Sequence, residues 1–324
     1  MKTAAKVVPI RPGMEAATAD PGPSASRPAA SRIEGTLRAL ARLAGAGLDV
    51  DSAARLWSRL YFAWHSEEVD EFGYDPKFAE SILPFFELLY TVWWRVEAAG
   101  IENVPGTGPA LLVANHSGVL PWDGIMINLA VRHEHPERRN CRMLALDMFA
   151  LLPFLAPLLA QSGAVRANPE NAERLLRKGE LVGVFPEGVK GVGKRFKDRY
   201  KLARFGRGGF IRIALRTGAP IVPCAVVGAE EIHPALGHMN WIGKPLGLPY
   251  VPVTPTFPLL GPLGLVPLPS KWSIDMGEPI PMDGYGEDAA LDPMLVNRLS
   301  EQVRATIQGM IDRRLARRRS VWLG

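Results

Sequence analysis

The stretch NHSGVLPWDG, residues 115–124, follows the apolar run PALLVA and carries His116 and Asp123 seven positions apart. A neutral imidazole accepts a proton from a hydroxyl, and a carboxylate on its other ring nitrogen selects the tautomer and stabilises the resulting imidazolium. The same residues also fit a plainer arrangement, with His116 in a loop and Asp123 capping a helix that begins at GIMINLAV. A second apolar run, GELVGVF, leads into PEGVKG. Pro186 and Gly188 there flank Glu187 in a tight turn, which holds the carboxylate to bind an alcohol or to orient a basic neighbour.

Charge and polar clusters surround these two stretches. Between residues 190 and 207 lie Lys190, Lys194, Arg195, Lys197, Arg199, Lys201, Arg204 and Arg207, against Asp198 alone. Such a loop suits a phosphate-bearing ligand or lipid headgroups, and a solvated loop has the same composition. Glu230, Glu231 and His233 follow in GAEEIHP. They lack a complete metal-ligand pattern, so a hydrogen-bonded loop is expected and no metal is assigned.

The elements that must position these groups are legible as short apolar runs alternating with helix-like segments. WRVEAAG, ALLVAN, CRMLAL, GELVGVF, APIVPCAVVG and KWSIDMG read as strands, with helices near 124–132, 169–178, 206–217 and 294–316. The pattern predicts an α/β fold with a mixed, largely parallel sheet flanked by helices. His116 then falls just past the carboxyl end of a strand, where such sheets place reactive groups. An N-terminal helical region precedes the sheet, with amphipathic spacing over 33–65 and an aromatic-rich helix over Pro76–Trp94. The expected divisions are a disordered leader over 1–31, helices over 32–94, and an α/β domain with a basic C-terminal helix over 95–324.

Composition narrows the function classes. The 324 residues are 47% hydrophobic, as in a folded globular protein. Of the net charge of +5, residues 311–324 contribute five arginines (Arg313, Arg314, Arg317, Arg318 and Arg319) against Asp312. That cluster fits an anionic membrane surface or a solvated helix end; no nucleic-acid motif accompanies it, and no nucleic-acid partner is expected. Cys141 and Cys224 have no paired spacing, which suits a reducing compartment. The leader lacks the apolar stretch of a secretory signal. MFALLPFLAPLLAQSGAV is short for a span and contains Pro153 and Pro157, while the uncharged stretch 245–270 holds eight prolines, so neither should cross a bilayer. The second is expected to wall an acyl pocket, dip into an interface, or pack as a loop on the core. No G-x-S-x-G elbow is present, which argues against covalent serine catalysis.

Taken together, NHSGVLPWD, FPEG at 185–188 and APIVPCAVVG at 219–228 resemble, in their order, the motifs of the glycerolipid and lysophospholipid acyltransferase superfamily, over about residues 95–282. The resemblance implies transfer of an acyl group from acyl-CoA or an acyl-carrier-protein thioester to the hydroxyl of a glycerolipid or other lipid alcohol. It makes His116 the general base and Asp123 its orienting partner, with no covalent intermediate. Phe185, Pro186, Glu187 and Gly188 would shape the acceptor site, with Arg166, Lys190 and Lys194 as further substrate-binding residues. The acyl thioester is a co-substrate, and no cofactor is implied. Two departures stand out: six residues separate His116 from Asp123 where the family pattern has four, and the position six after Gly163 is Pro169, leaving Arg166 as the nearby arginine. The second brings the chain nearer the monoacylglycerol and diacylglycerol acyltransferase-like branch, with neutral acceptors. The expected location is cytoplasmic, peripherally on the inner face of a membrane with anionic lipids. The alternatives are a catalytically silent lipid- or membrane-binding member of the fold, and a lysophosphatidic acid acyltransferase.

Overall fold

A computed structural model describes residues 68–117, 120–146, 155–239 and 251–324. The expected leader and the amphipathic helices of 33–65 lie outside the described residues, and contacts within the chain divide it into units 1–63 and 64–324. In chain order the second unit contains α1 (Pro76–Leu88), β1 (Glu97–Ala99), β2 (Ala110–Ala114), α2 (Trp122–Glu134), β3 (Cys141–Ala145), α3 (Leu155–Gln161), β4 (Val165–Arg166) and α4 (Pro169–Arg177). Then come β5 (Leu181–Val184), α5 (Val189–Val192), α6 (Gly209–Thr217), β6 (Ile221–Val227), β7 (Gly237–Met239), β8 (Val251–Val253), β9 (Ser273–Met276) and α7 (Pro293–Arg317).

Every residue of β2 is buried, so its two faces both need a cover. Leu111 and Val113 join Val182, Ile221 and Ala225 beneath α4, α6 and α7. Ala110, Leu112 and Ala114 join Leu181, Val222 and Cys224 beneath α2 and the aromatic end of the first helical segment, where Tyr90 and Trp94 lie. Burial on both faces is what turns strands of a parallel sheet into continuous apolar runs. The sheet has seven strands in the order β1-β9-β6-β2-β5-β3-β4. β2 pairs in parallel with β5 and β6, and β3 with β5 and β4, while β9 lies antiparallel to β6. The expected mixed, largely parallel sheet is therefore the observed one.

Three of the helices begin the same way. Asp75, Asn168 and Asp292 each accept a backbone N–H of the first turn, and each is followed by proline. A short polar acceptor at the cap satisfies an orphan donor, and proline at the first helical position loses a hydrogen bond that would not form anyway.

At the end of β6 the chain turns through Gly228, whose φ of 106° belongs to glycine. A Cβ there would lie 2.4 Å from the Lys271 carbonyl oxygen. Gly228→Ala should accordingly cost about 2–3 kcal/mol through strain and displaced backbone; an unchanged urea midpoint would contradict this.

The basic clusters divide in a way their composition does not reveal. Arg314 grips Asp275 with Nε and Nη2, and Arg318 reaches Glu231 at 2.6 Å, while Arg313, Arg317 and Arg319 are exposed. The five-arginine cluster is thus partly an internal clasp that pins the end of α7. Residues 251–270 form β8 and a 3-10 turn over Gly261–Leu265, and no helix among the described residues is long and apolar enough to cross a membrane.

Candidate active site

The carboxyl ends of β2 and β5 are neighbours, because Val113 pairs with Val184 in a parallel register. The residues that leave both strands therefore emerge side by side. His116 stands two residues past β2 and Phe185 one past β5, and their rings stack with centroids 4.3 Å apart and planes 14° from parallel.

Asp123 is fully buried and brings its Oδ2 within 2.7 Å of His116 Nδ1. Ser117 holds the same carboxylate, since its backbone N and its Oγ donate to that Oδ2 at 2.9 and 3.2 Å. Oδ1 accepts the Gly124 N–H at 2.9 Å. Asp123 is not the helix cap. Pro121 occupies that position, and Asp123 lies inside the first turn of α2, where the positive end of the helix favours a carboxylate. Surrounded by donors, the carboxylate has only acceptors to offer, so Nδ1 carries the hydrogen and Nε2 keeps its lone pair for a substrate.

Glu187 is turned inward. Its Oε1 accepts the His116 backbone N–H at 3.1 Å, and its Oε2 accepts that of Ala203 at 2.7 Å. Lys194 sits between two buried carboxylates, 3.3 Å from Glu187 and 3.0 Å from Glu230. Burial pushes the Glu230 carboxyl above its ordinary range despite the opposing pull of Lys194.

A cavity of about 220 Å³ is walled by α1, α2, β3 and α3, and His116, Phe185 and Gly188 line it. Leu83, Phe86, Ile125 and Met143 make it largely apolar. Gly183 on β5 makes room for one of these walls, because a Cβ there would stand 2.3 Å from the Met143 sulfur. Arg142 also borders the cavity; its Nε donates to Gly163 O at 2.9 Å and its Nη1 to Asp70 at 2.7 Å. An imidazole poised beside an apolar cavity can take the proton of a lipid hydroxyl and return it to a leaving group.

Of the residues singled out from the sequence, His116, Asp123, Phe185 and Gly188 come together here. Pro186 and Glu187 share the turn but do not line the cavity, and the Pro186 carbonyl accepts Gly206 N. Glu187 and Lys194, expected among the substrate-binding residues, do not line the cavity, and their charged ends meet each other, Glu230 and the backbone N–H groups of His116 and Ala203. Arg166 lies on the edge strand β4, and Lys190 is exposed; neither borders the cavity. Glu230 and Glu231 belong to hydrogen-bonded and ion-paired loop structure, and among the described residues no group is placed to hold a metal. Sequence reasoning missed Asn115, Ser117 and Arg142. Asn115 was the most findable, as a polar residue ending a fully buried strand: its side chain exchanges hydrogen bonds with Val226 N and O at 2.7 and 2.9 Å.

Comparison with known proteins adds a family pattern and relatives. The family model described as Acyltransferase matches residues 95–227. An uncharacterized protein of Mycobacterium tuberculosis is 53% identical over 257 residues, which are 79% of this chain and 72% of that relative. A human protein named DGAT1/2-independent enzyme synthesizing storage lipids is 26% identical over 225 residues, 68% of this chain and 62% of its own. Among solved structures, the 1-acyl-sn-glycerophosphate (LPA) acyltransferase PlsC of Thermotoga maritima aligns with a TM-score of 0.47 at 20% identity, covering 75% of this chain and 82% of that one.

Proposed function

The chain belongs to the acyltransferase family, and from that premise we propose that it transfers a fatty acyl group from acyl-CoA or an acyl-carrier-protein thioester to the hydroxyl of a neutral glycerolipid or other lipid alcohol. The observation that carries this reading is the His116–Asp123 pair, 2.7 Å apart and bordering a largely apolar cavity.

In the proposed reaction the acceptor hydroxyl lies against His116 Nε2. As its oxygen attacks the thioester carbonyl, His116 takes the proton and Asp123 stabilises the imidazolium. The tetrahedral intermediate then collapses, the carbon–sulfur bond breaks, and the thiolate recovers the proton from His116. No enzyme atom becomes acylated. Phe185 holds the imidazole plane, while Glu187, backed by Lys194, fixes the backbone from which it projects.

A neutral acceptor is favoured because the cationic residues expected to meet a phosphate, Arg166, Lys190 and Lys194, do not line the cavity, and the two arginines that do, Arg132 and Arg142, are already paired with Glu80 and Asp70. The name of the human relative, which speaks of storage lipids, points the same way. We place the reaction at the cytoplasmic face of a membrane, consistent with two buried free thiols and with water-insoluble acceptors.

The test is purified protein with labelled acyl-CoA or acyl-carrier protein and a panel of monoacylglycerol, diacylglycerol, a long-chain alcohol and lysophosphatidic acid. Ester product with the neutral acceptors is expected. Preference for lysophosphatidic acid would overturn the acceptor class, and lipid binding without product from any pair would leave a silent binding protein.

A further inference from the structure

α1 and the π-helical turn that continues it, Leu89–Trp93, are apolar on both sides. One side, with Leu83 and Phe86, walls the cavity. The other shows Phe85, Leu88 and Val92 to solvent in one stripe at helical spacing. Lys77, Glu80, Ser81, Glu87 and Thr91 are the polar positions of the segment, and Phe85, Leu88 and Val92 form an exposed apolar stripe among them that needs an apolar surrounding of its own.

Two other exposed apolar segments meet this stripe at its carboxyl end. The proline-rich segment is tied there by Trp93 Nε1, which donates to Pro267 O at 3.0 Å, and it exposes Leu259 by 84% and Leu263 by 72%. The C-terminal tail is tied by Arg95, whose Nη2 donates to both Pro269 O and Trp322 O, and it exposes Trp322 and Leu323. Segments far apart in sequence are thus tied to one junction, and each exposes large apolar side chains, an arrangement that is costly in water.

We propose that this junction is the surface by which the protein docks on a bilayer carrying anionic lipids. Charge selects the occupant. Arg95 donates to carbonyl oxygens, so no carboxylate among the described residues cancels its charge, and Arg319 beside Trp322 is exposed. Lys271 is matched by Glu97 and Glu87 faces His133, which leaves Arg95 and Arg319 as cations of this surface with no carboxylate partner among the described residues. Trp93 has the arrangement expected at a lipid–water boundary, with its N–H bonded and part of its ring exposed. The proposal rests on the reading that the acceptor is a lipid: docked in this way, the outer side of α1 meets the bilayer while its inner side faces the cavity beside His116.

The experiment is sedimentation of the full chain with vesicles of phosphatidylglycerol in phosphatidylcholine and of phosphatidylcholine alone, for the parent and for the double variant Leu259→Ser, Leu263→Ser. Parent binding should be stronger to the anionic vesicles, and the variant should bind them about tenfold more weakly. Acylation of a short-chain, water-soluble alcohol should be unchanged in the variant. Undiminished vesicle binding by the variant overturns the proposal, as does a parent dimer that the variant converts to monomer without any change in vesicle binding. Because sedimentation needs no turnover, absence of acylation in both proteins would strike the enzymatic reading and leave the docking result standing on its own.

Discussion

His116→Ala lowers acyl transfer about a thousandfold while the protein stays folded, if His116 is the general base. The fold should survive because the buried Asp123 carboxylate keeps three donors, from Ser117 N, Ser117 Oγ and Gly124 N. The loss to stability is then one hydrogen bond and one ring stack, about 1–2 kcal/mol. Asp123→Asn separates orientation from proton transfer: an amide nitrogen facing Nδ1 donates rather than accepts, which favours the wrong tautomer. That variant should lose turnover with little change in KM. Parent-like turnover in a His116→Ala protein whose circular dichroism and urea midpoint are preserved would remove His116 from the mechanism.

Lys194→Met should have the largest effect on stability. The side chain is 10% exposed and stands between two carboxylates that are themselves almost wholly buried. Its removal leaves that pair without a cation, a change that costs about 3–5 kcal/mol for buried ion pairs. Backbone donors to Glu187 and Glu230 remain, so the relief open to the variant is for one carboxyl to take up a proton. Burial already holds the Glu230 carboxyl above its ordinary value of 4.5, and losing Lys194 drives it further up. A raised folded-state value means that the folded protein holds the proton more tightly; the associated stability is complete below the unfolded value and disappears as pH climbs through the folded one. The deficit of Lys194→Met should therefore be larger at pH 8 than at pH 5, and adding Glu230→Gln should recover most of it. Equal urea midpoints for parent and Lys194→Met at pH 8 would show that the three charges are not energetically joined.

Local chemistry was legible in the sequence, and partnership across distance was not. The runs ALLVAN, GELVGVF and APIVPCAVVG stood out because β2, β5 and β6 are the buried heart of a parallel sheet, where no polar face interrupts the pattern. Nothing in KWSIDMG disclosed that β9 would lie between β6 and β1, antiparallel to the first and parallel to the second, since alternation and propensity describe a strand and not its neighbour. The dyad was visible as residue types, whereas its closure depends on Ser117 bridging inward and on Pro121 releasing Asp123 from the cap. Lys194 looked like one cation among eight; its burial is decided by Glu230, 36 residues away. Arg314 was likewise one basic residue in a tail until Asp275, 39 positions back, claimed it.

Asn115, His116 and Ser117 are three consecutive residues tied to three different places: the side chain of Asn115 to β6, the amide of His116 to the turn after β5, and Ser117 to α2. Mechanically this is a tripod with the imidazole at its apex. Under the proposed mechanism the base is a fixed survey mark against which substrates align, so adjustment between donors of different length would fall to the cavity walls and not to the histidine. A distant change that alters the rate without touching substrate has three legs through which to act, and each is named by its own hydrogen bond.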